Sequence, residues 1–196
     1  MTRALALLFA ALAILSGAGP VQAQGFFDMR DIMGGGPSFR GGGSGGGGSP
    51  IQRTTVSYPV NYAPGTIVIS TGERRLYLVL GNGQALSYGI GVGRDGFRWS
   101  GTHRITAKKE WPSWTPPSQM LRRRPDLPRH MEGGVDNPLG ARAMYLGSTL
   151  YRIHGSNEPE TIGQAVSSGC FRMTNEDVTD LYSRVSVGTT VVVKNN

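Results

Sequence analysis

The chain is 196 residues long, 38% apolar and 17% charged, a composition that fits one folded domain with room for unfolded segments. Twenty lysines and arginines against thirteen acids give a formal net charge of +7, and the chain has one cysteine. A single thiol excludes an internal disulfide framework, and the surplus of positive charge points to an anionic polymer as partner.

The first residues, MTRALALLFAALAILSGAGPVQA, have the pattern of a secretory signal peptide over residues 1–23. Arg3 supplies a positive start, Ala4 to Leu15 an apolar run, and Val21 and Ala23 the small residues that favour cleavage after Ala23. That run falls short of the roughly 20 residues a membrane-spanning helix needs. Export to the periplasm is the expectation. Outside the cytoplasm an anionic cell-wall polymer, not nucleic acid, is the expected partner. Loss of the leader removes one arginine and no acid, so the mature charge is +6.

Residues 24–50 carry two acids and two arginines and include GGGPSFRGGGSGGGGS, a glycine/serine stretch with too little apolar surface to fold. It reads as a flexible linker with a reach of about 20 Å. All excess charge therefore lies on residues 51–196, which read as one domain.

Strand signals dominate that domain. TIVIS (66–70) and RLYLVL (75–80) are rich in β-branched and aromatic residues, GNG (81–83) is a hairpin turn, and QALSYGIGVG is the returning strand. THRITAKKE (102–110), AMYL (143–146), LYRIH (150–154) and TTVVV (189–193) complete the set. One helix is expected, over NEDVTDLYSRV (175–185), with Thr174 as N-cap and Asp177 three residues on. Its stripe of Val178, Leu181, Tyr182 and Val185 is a core face. Between these elements, Trp111 to Pro138 is crowded with proline, tryptophan and arginine and lacks periodicity. A long irregular segment inside a compact domain is usually functional, here as a lid or a substrate-lining loop. Its arginines at 122–124 either bind wall polymer or stay solvated.

Cys170 sits in SSGCFRM, sixteen residues beyond His154, which closes the apolar strand LYRIH. An unpaired thiol in an exported protein is either a reactive group or a small buried hydrophobe. A thiol needs a base beside it to act as a nucleophile, and histidine is the usual one. Gly169 lets the backbone turn tightly and present amide groups to an oxyanion, and Arg172 is placed to clamp a carboxylate. His103, in a strand, reads as structural. His130, in the irregular segment, is a candidate substrate contact.

RIHGSN, SSGCFRMTNEDVTDLY and VGTTVVV together resemble the catalytic core of the L,D-transpeptidases, the YkuD/ErfK-type domain. GERRLYLVLGNG, GVGRDGFRWSGTHRITAKKEWPSWTPPSQM and GGVDNPLGARAMYL extend the resemblance upstream, so that it covers about residues 65–193. The resemblance implies a mainly β, sandwich-like catalytic domain and a reaction on peptidoglycan stem peptides. A cysteine attacks the carbonyl of the third stem residue, D-alanine leaves, and an amine takes the acyl group. The acceptor is another stem peptide, a wall-attached lipoprotein or an outer-membrane protein. Carbapenem-type inhibitors are expected to react with the same cysteine.

Carried onto this chain, the resemblance makes Cys170 the nucleophile, His154 the base and Gly155 the residue whose carbonyl orients the imidazole. The amides of Gly169 and Cys170 form the oxyanion hole. Arg172, Ser168, Asn175 and Trp114 are the implied substrate contacts, although helix capping accounts for Asn175 equally well. Ser168 departs from the family's common Ser-His-Gly-Cys, which leaves substrate preference and rate open. No cofactor or metal is implied; the three histidines are too scattered for a zinc site. Two other readings stay open: water as acceptor, giving a carboxypeptidase or endopeptidase, and a non-catalytic wall-binding module.

Overall fold

Hairpins with alternating apolar residues build the domain. A computed structural model describes residues 49–59 and 61–196. The expected leader (1–23) and nearly all of the linker lie outside the described residues.

The first four strands are β1 (Thr54–Ser57), β2 (Ile67–Ser70), β3 (Arg75–Gly81) and β4 (Gln84–Gly89). The turn between β3 and β4 places Asn82 at φ 51° and Gly83 at φ 69°, two successive left-handed residues of the kind that join twisted strands. β3 turns Leu76 and Leu78 into the core, while every residue of β2 is buried. The returning strand ends at Gly89. Val92–Gly93 is a separate strand, β5, which leaves the hairpin for another partner.

β6 (Gly101–Glu110) leads into the irregular segment, which contains a short helix, α1 (Ser118–Arg123), not expected from the sequence. This helix has no side-chain cap at either end. It is held by a small core of its own, in which Trp114, Met120, Leu127 and Leu139 are buried together. After it come β7 (Arg142–Leu146), β8 (Arg152–His154), a 3-10 turn (Pro159–Thr161), β9 (Ala165–Ser167) and β10 (Phe171–Arg172). The helix α2 (Asn175–Arg184) and the strand β11 (Thr190–Lys194) follow.

Nine strands form one sheet in the order β1-β4-β3-β2-β11-β6-β7-β8-β10, and β5 pairs with β9 in parallel. β11 lies in the middle, parallel to β2 and antiparallel to β6. At the far edge, Arg172 of β10 exchanges two backbone hydrogen bonds of 2.9 Å with Gly91, just past the end of β4, so the sheet comes back on itself. The fold is thus mainly β with a helix near the C-terminus, as the sequence leads one to expect.

α2 starts where its cap residue predicts: Thr174 Oγ1 accepts from the Asp177 N–H at 3.1 Å. Val178 and Leu181 are fully buried in the main core beside Phe171, Met173 and Ile153. At the other end, Lys108 Nζ of β6 donates to the carbonyls of Tyr182 (2.7 Å) and Val185 (2.6 Å). A cation on the last free carbonyls satisfies both their hydrogen bonding and the helix dipole.

Candidate active site

Strand alternation assembles the site. β8 and β10 run parallel in the register Phe171↔Ile153 and Arg172↔His154. Neighbouring residues on a strand face opposite ways. Ile153 and Phe171 turn into the core, fully buried. Arg152 and His154 on one strand, and Arg172 on the other with Cys170 just before its start, are therefore left on the opposite side. All four line one pocket of about 380 Å³.

The rest of the wall is mostly apolar. Trp114, Pro117 and Met120 come from the irregular segment, Leu139 from just after it, and Phe97 from the loop after β5. Leu150, Tyr151 and Ser168 close the cysteine side. The segment from Trp111 to Pro138 thus covers the site as a packed flap.

His154 is 5% exposed, and its Nδ1 lies 2.6 Å from the Gly155 carbonyl oxygen. A carbonyl only accepts, so Nδ1 carries the proton and Nε2 is left as a base. Gly155 has to be glycine. A Cβ there would collide with Asn175 Oδ1, which accepts from the Ala141 N–H at 2.8 Å. That bond is where the structure places Asn175: its side chain ties the chain entering β7 to the start of α2, and it does not line the pocket.

The turn before the cysteine is held by Ser167, whose Oγ donates to the Cys170 carbonyl at 2.6 Å and accepts from the Gly169 N–H at 3.1 Å. The Gly169 amide is thereby engaged inside the turn. The Cys170 N–H has no acceptor among the described residues. Gly169 contributes its conformation instead. Its φ is +107°, and a Cβ there would stand 2.6 Å from Tyr151 Cε1. Its carbonyl accepts from the indole Nε1 of Trp99 at 2.8 Å.

The electrostatics favour neutral partners at rest. Burial, reinforced by the nearby positive charges of Arg172 and Arg152, holds the His154 imidazole down at about 3, although its bond to Gly155 pulls the other way. Cys170 keeps some accessible surface, but protein crowds the sulfur, whose nearest acceptor is the Leu150 carbonyl at 3.8 Å. This burial pushes the thiol up, opposed mainly by Arg152. The resting pair is thus a thiol and a neutral imidazole.

Arg172 lies at the pocket floor, 4% exposed, with Nη1 3.7 Å from Glu158 Oε2. Burial pushes the Glu158 carboxyl up to about 7 against the pull of Arg172. Ser168 lines the pocket, but its Oγ is shielded from water and has no hydrogen-bond partner among the described residues. Trp114 lines the pocket while 5% exposed, its backbone bridged to Met131 by two 2.8 Å hydrogen bonds. His103 packs edge-on against Trp99 with ring centres 5.3 Å apart, consistent with a structural place. His130 stands on the outside between Thr115 Oγ1 (3.1 Å) and Glu132 Oε1 (3.2 Å) and does not line the pocket. Of the arginine run, Arg124 forks the Asp126 carboxylate at 2.9 and 2.7 Å. Among the described residues no three histidine, cysteine or acidic side chains converge as a metal site would need.

Sequence reasoning missed Arg152, Glu158, Tyr151, Phe97 and Met120. Arg152 was within reach, because it stands two residues before His154 on a strand and must share its face. Phe97 and Met120 come from irregular segments, where no periodicity says which way a side chain turns.

A mainly β domain that brings one thiol and one imidazole to a single pocket beneath an apolar flap is the class defined by fold and site. The profile of the L,D-transpeptidase catalytic domain, YkuD, matches residues 64–193, and the chain belongs to that family. The probable L,D-transpeptidase YbiS of Escherichia coli K12 is 40% identical over 134 residues, 64% of this chain and 43% of that relative. The chain thus matches less than half of that relative's length. A solved structure from Brucella melitensis, carrying the name of a probable carnitine operon oxidoreductase, is 47% identical. That match covers 75% of this chain and 96% of the other, with a TM-score of 0.51. L,D-transpeptidase 3 from Mycobacterium tuberculosis, solved with a faropenem-derived adduct, has the same fold. It is 17% identical, with a TM-score of 0.53 over 66% of this chain and 60% of that one.

Proposed function

We propose that this protein is an exported, periplasmic peptidoglycan L,D-transpeptidase with Cys170 as nucleophile and His154 as base. The observation that carries this reading is the ladder register that turns Cys170 and His154 to one pocket, with the imidazole tautomer fixed by Gly155.

The Cys170 thiol gives its proton to His154 Nε2 as sulfur attacks the carbonyl carbon of the third stem residue. A C–S bond forms and the carbonyl oxygen becomes an oxyanion, facing the unengaged Cys170 N–H. Collapse breaks the C–N bond to D-alanine, whose nitrogen takes the proton from His154, and a thioester remains. An acceptor amine then attacks, passing a proton to Nε2. The C–S bond breaks, the thiolate recovers the proton, and a new amide is released. Because both partners start neutral, the proton moves with the attack and not before it. Arg172 and Arg152 give the pocket positive charge for a stem-peptide carboxylate, and the apolar flap excludes water from the thioester. The amine of a second stem peptide is the acceptor in this reading; a wall-attached lipoprotein or outer-membrane protein would enter by the same chemistry. Support for export is the leader pattern of residues 1–23.

The test uses the purified mature protein and a disaccharide tetrapeptide carrying diaminopimelate, with Cys170→Ala alongside and products followed by mass spectrometry. Cross-linked dimer with loss of D-alanine, absent in the variant, is the expected result. Tripeptide without dimer would make water the acceptor. Turnover by Cys170→Ala would remove the nucleophile assignment. Imipenem is expected to add its mass to the wild-type protein and not to the variant.

A further inference from the structure

Trp99 is not among the residues lining the pocket, yet it is bonded to the turn that presents the nucleophile. Its indole lies flat on Tyr151, with centroids 4.5 Å apart and planes 12° apart, and tilts against Phe171 at 5.4 Å. From that stack its Nε1–H reaches the Gly169 carbonyl at 2.8 Å. Gly169 C=O and Cys170 N–H belong to one peptide unit. The chain contains no cis peptide among the described residues, so in this unit the two groups point in opposite directions. Anchoring the carbonyl on Trp99 therefore aims the Cys170 N–H away from the indole, and that N–H has no acceptor among the described residues. The hydrogen bond acts a second way. A carbonyl that accepts a bond polarises its own amide and makes the N–H across the unit a stronger donor.

We propose that Trp99 is a positioning residue for acyl transfer: its indole N–H fixes and polarises the Gly169–Cys170 peptide so that the Cys170 N–H serves as the oxyanion donor. This rests on the nucleophile reading above. It assigns no direct substrate contact to Trp99. The fold supports the arrangement from the other side as well. Arg94, at the head of the same loop, donates its N–H to the Ser167 carbonyl at 3.0 Å, and Phe97 N bonds back to Arg94 O at 2.9 Å. The loop and the cysteine turn are thus laced together at both ends.

A structural indole would serve only to bury its ring and satisfy its N–H. The two roles separate by comparing a reaction that builds an oxyanion with one that does not. Trp99→Phe keeps a ring on Tyr151 and removes the donor. Trp99→3-benzothienylalanine keeps the full bicyclic shape and removes only the N–H, which guards against a folding defect in the phenylalanine variant. Acylation by imipenem passes through an oxyanion; alkylation by iodoacetamide does not. Both variants should be acylated about tenfold more slowly, below the loss from deleting a whole oxyanion donor. In transpeptidation the loss should fall on kcat, with KM within about twofold. Alkylation should stay within about twofold of wild type.

Acylation at the wild-type rate in the benzothienyl variant would overturn the proposal. So would an equal fall in acylation and alkylation, because that marks a general disturbance of Cys170. Wild-type protein inert to both imipenem and stem peptide would instead remove the nucleophile reading, and this inference with it.

Discussion

Removal of the Asn175 side chain tests whether that residue serves the substrate or the scaffold. In the structure its Oδ1 accepts the Ala141 N–H at 2.8 Å, and Ala141 is buried at the entrance of β7. Asn175→Ala leaves that amide without a partner in a place water does not reach, because Gly140 and Gly155 close on the same oxygen. An orphaned buried N–H costs about 1–3 kcal/mol. For a domain of this size each kcal/mol moves the melting temperature by about 3–5 °C, so the variant should melt about 3–15 °C lower. The assay is thermal and urea unfolding followed by tryptophan fluorescence, beside transpeptidation kinetics at a temperature where both proteins are folded. Stability should fall while KM for the stem peptide changes less than about twofold. Asn175→Asp, which keeps an acceptor oxygen, should recover most of the loss. A variant with unchanged melting temperature and a raised KM would refute the scaffold role and return Asn175 to the substrate.

Three further outcomes follow from the site's charges. With the thiol pushed up and the imidazole held at about 3, iodoacetamide should alkylate Cys170 at a rate that climbs with pH through the neutral range. A flat rate over roughly pH 5–8, the behaviour of a preformed ion pair, would contradict the neutral resting state. His154→Ala should lower acyl transfer by about 10²–10⁴ while leaving the melting temperature near wild type; a smaller loss would mean another base takes the proton. Glu158 binds its proton more tightly folded (about 7) than unfolded (4.5), so across that window its presence makes the fold less stable as pH rises. Buried His154 acts in the opposite sense below its ordinary 6.5, where the unfolded chain gains a proton the folded one lacks. Melting temperatures at pH 4.5 and 7 should therefore show Glu158→Gln gaining on wild type as pH rises; a constant or shrinking difference would sink the assignment.

The elements legible in the sequence were those with a strong local pattern. RLYLVL and TIVIS alternate or run apolar, NG forces a left-handed turn, and Thr174 with Asp177 announces a helix start; each stands where expected. β8 stands inside the expected strand LYRIH, but the three-residue β9 and the two-residue β5 and β10 are too short to show a period and exist because long-range partners hold them. Two of those four carry the site. His154 and Cys170 were legible by chemical type, as a lone thiol sixteen residues beyond a strand-ending histidine. The shared face was legible only in part, since the register of β8 against β10 links segments with no local signal between them. For Asn175 and the Gly169 amide the sequence shows only a polar group near the motif; their partners, the Ala141 N–H and Ser167 Oγ, come from the tertiary structure. α1 escaped because its helix is stabilised by Met120 in a small separate core and not by any cap.

The place of β11 has a kinetic consequence. It comes after every other strand in chain order, yet it sits in the sheet between β2 and β6. Until it inserts, the β1–β4 half and the β6–β10 half meet only through the Gly91–Arg172 bridge and the short β5–β9 pair, and β2 exposes an open edge carrying Ile67, Val68 and Ile69. A chain delivered N-terminus first would hold a sheet lacking its central strand for the whole time the intervening residues take to arrive. Such non-local closure is slow, and the waiting edges can pair with other molecules. The strand thus acts as a keystone: the sheet is completed late and all at once. Deleting Val191 and Val193 from it should divert folding toward aggregates more than it weakens any finished contact.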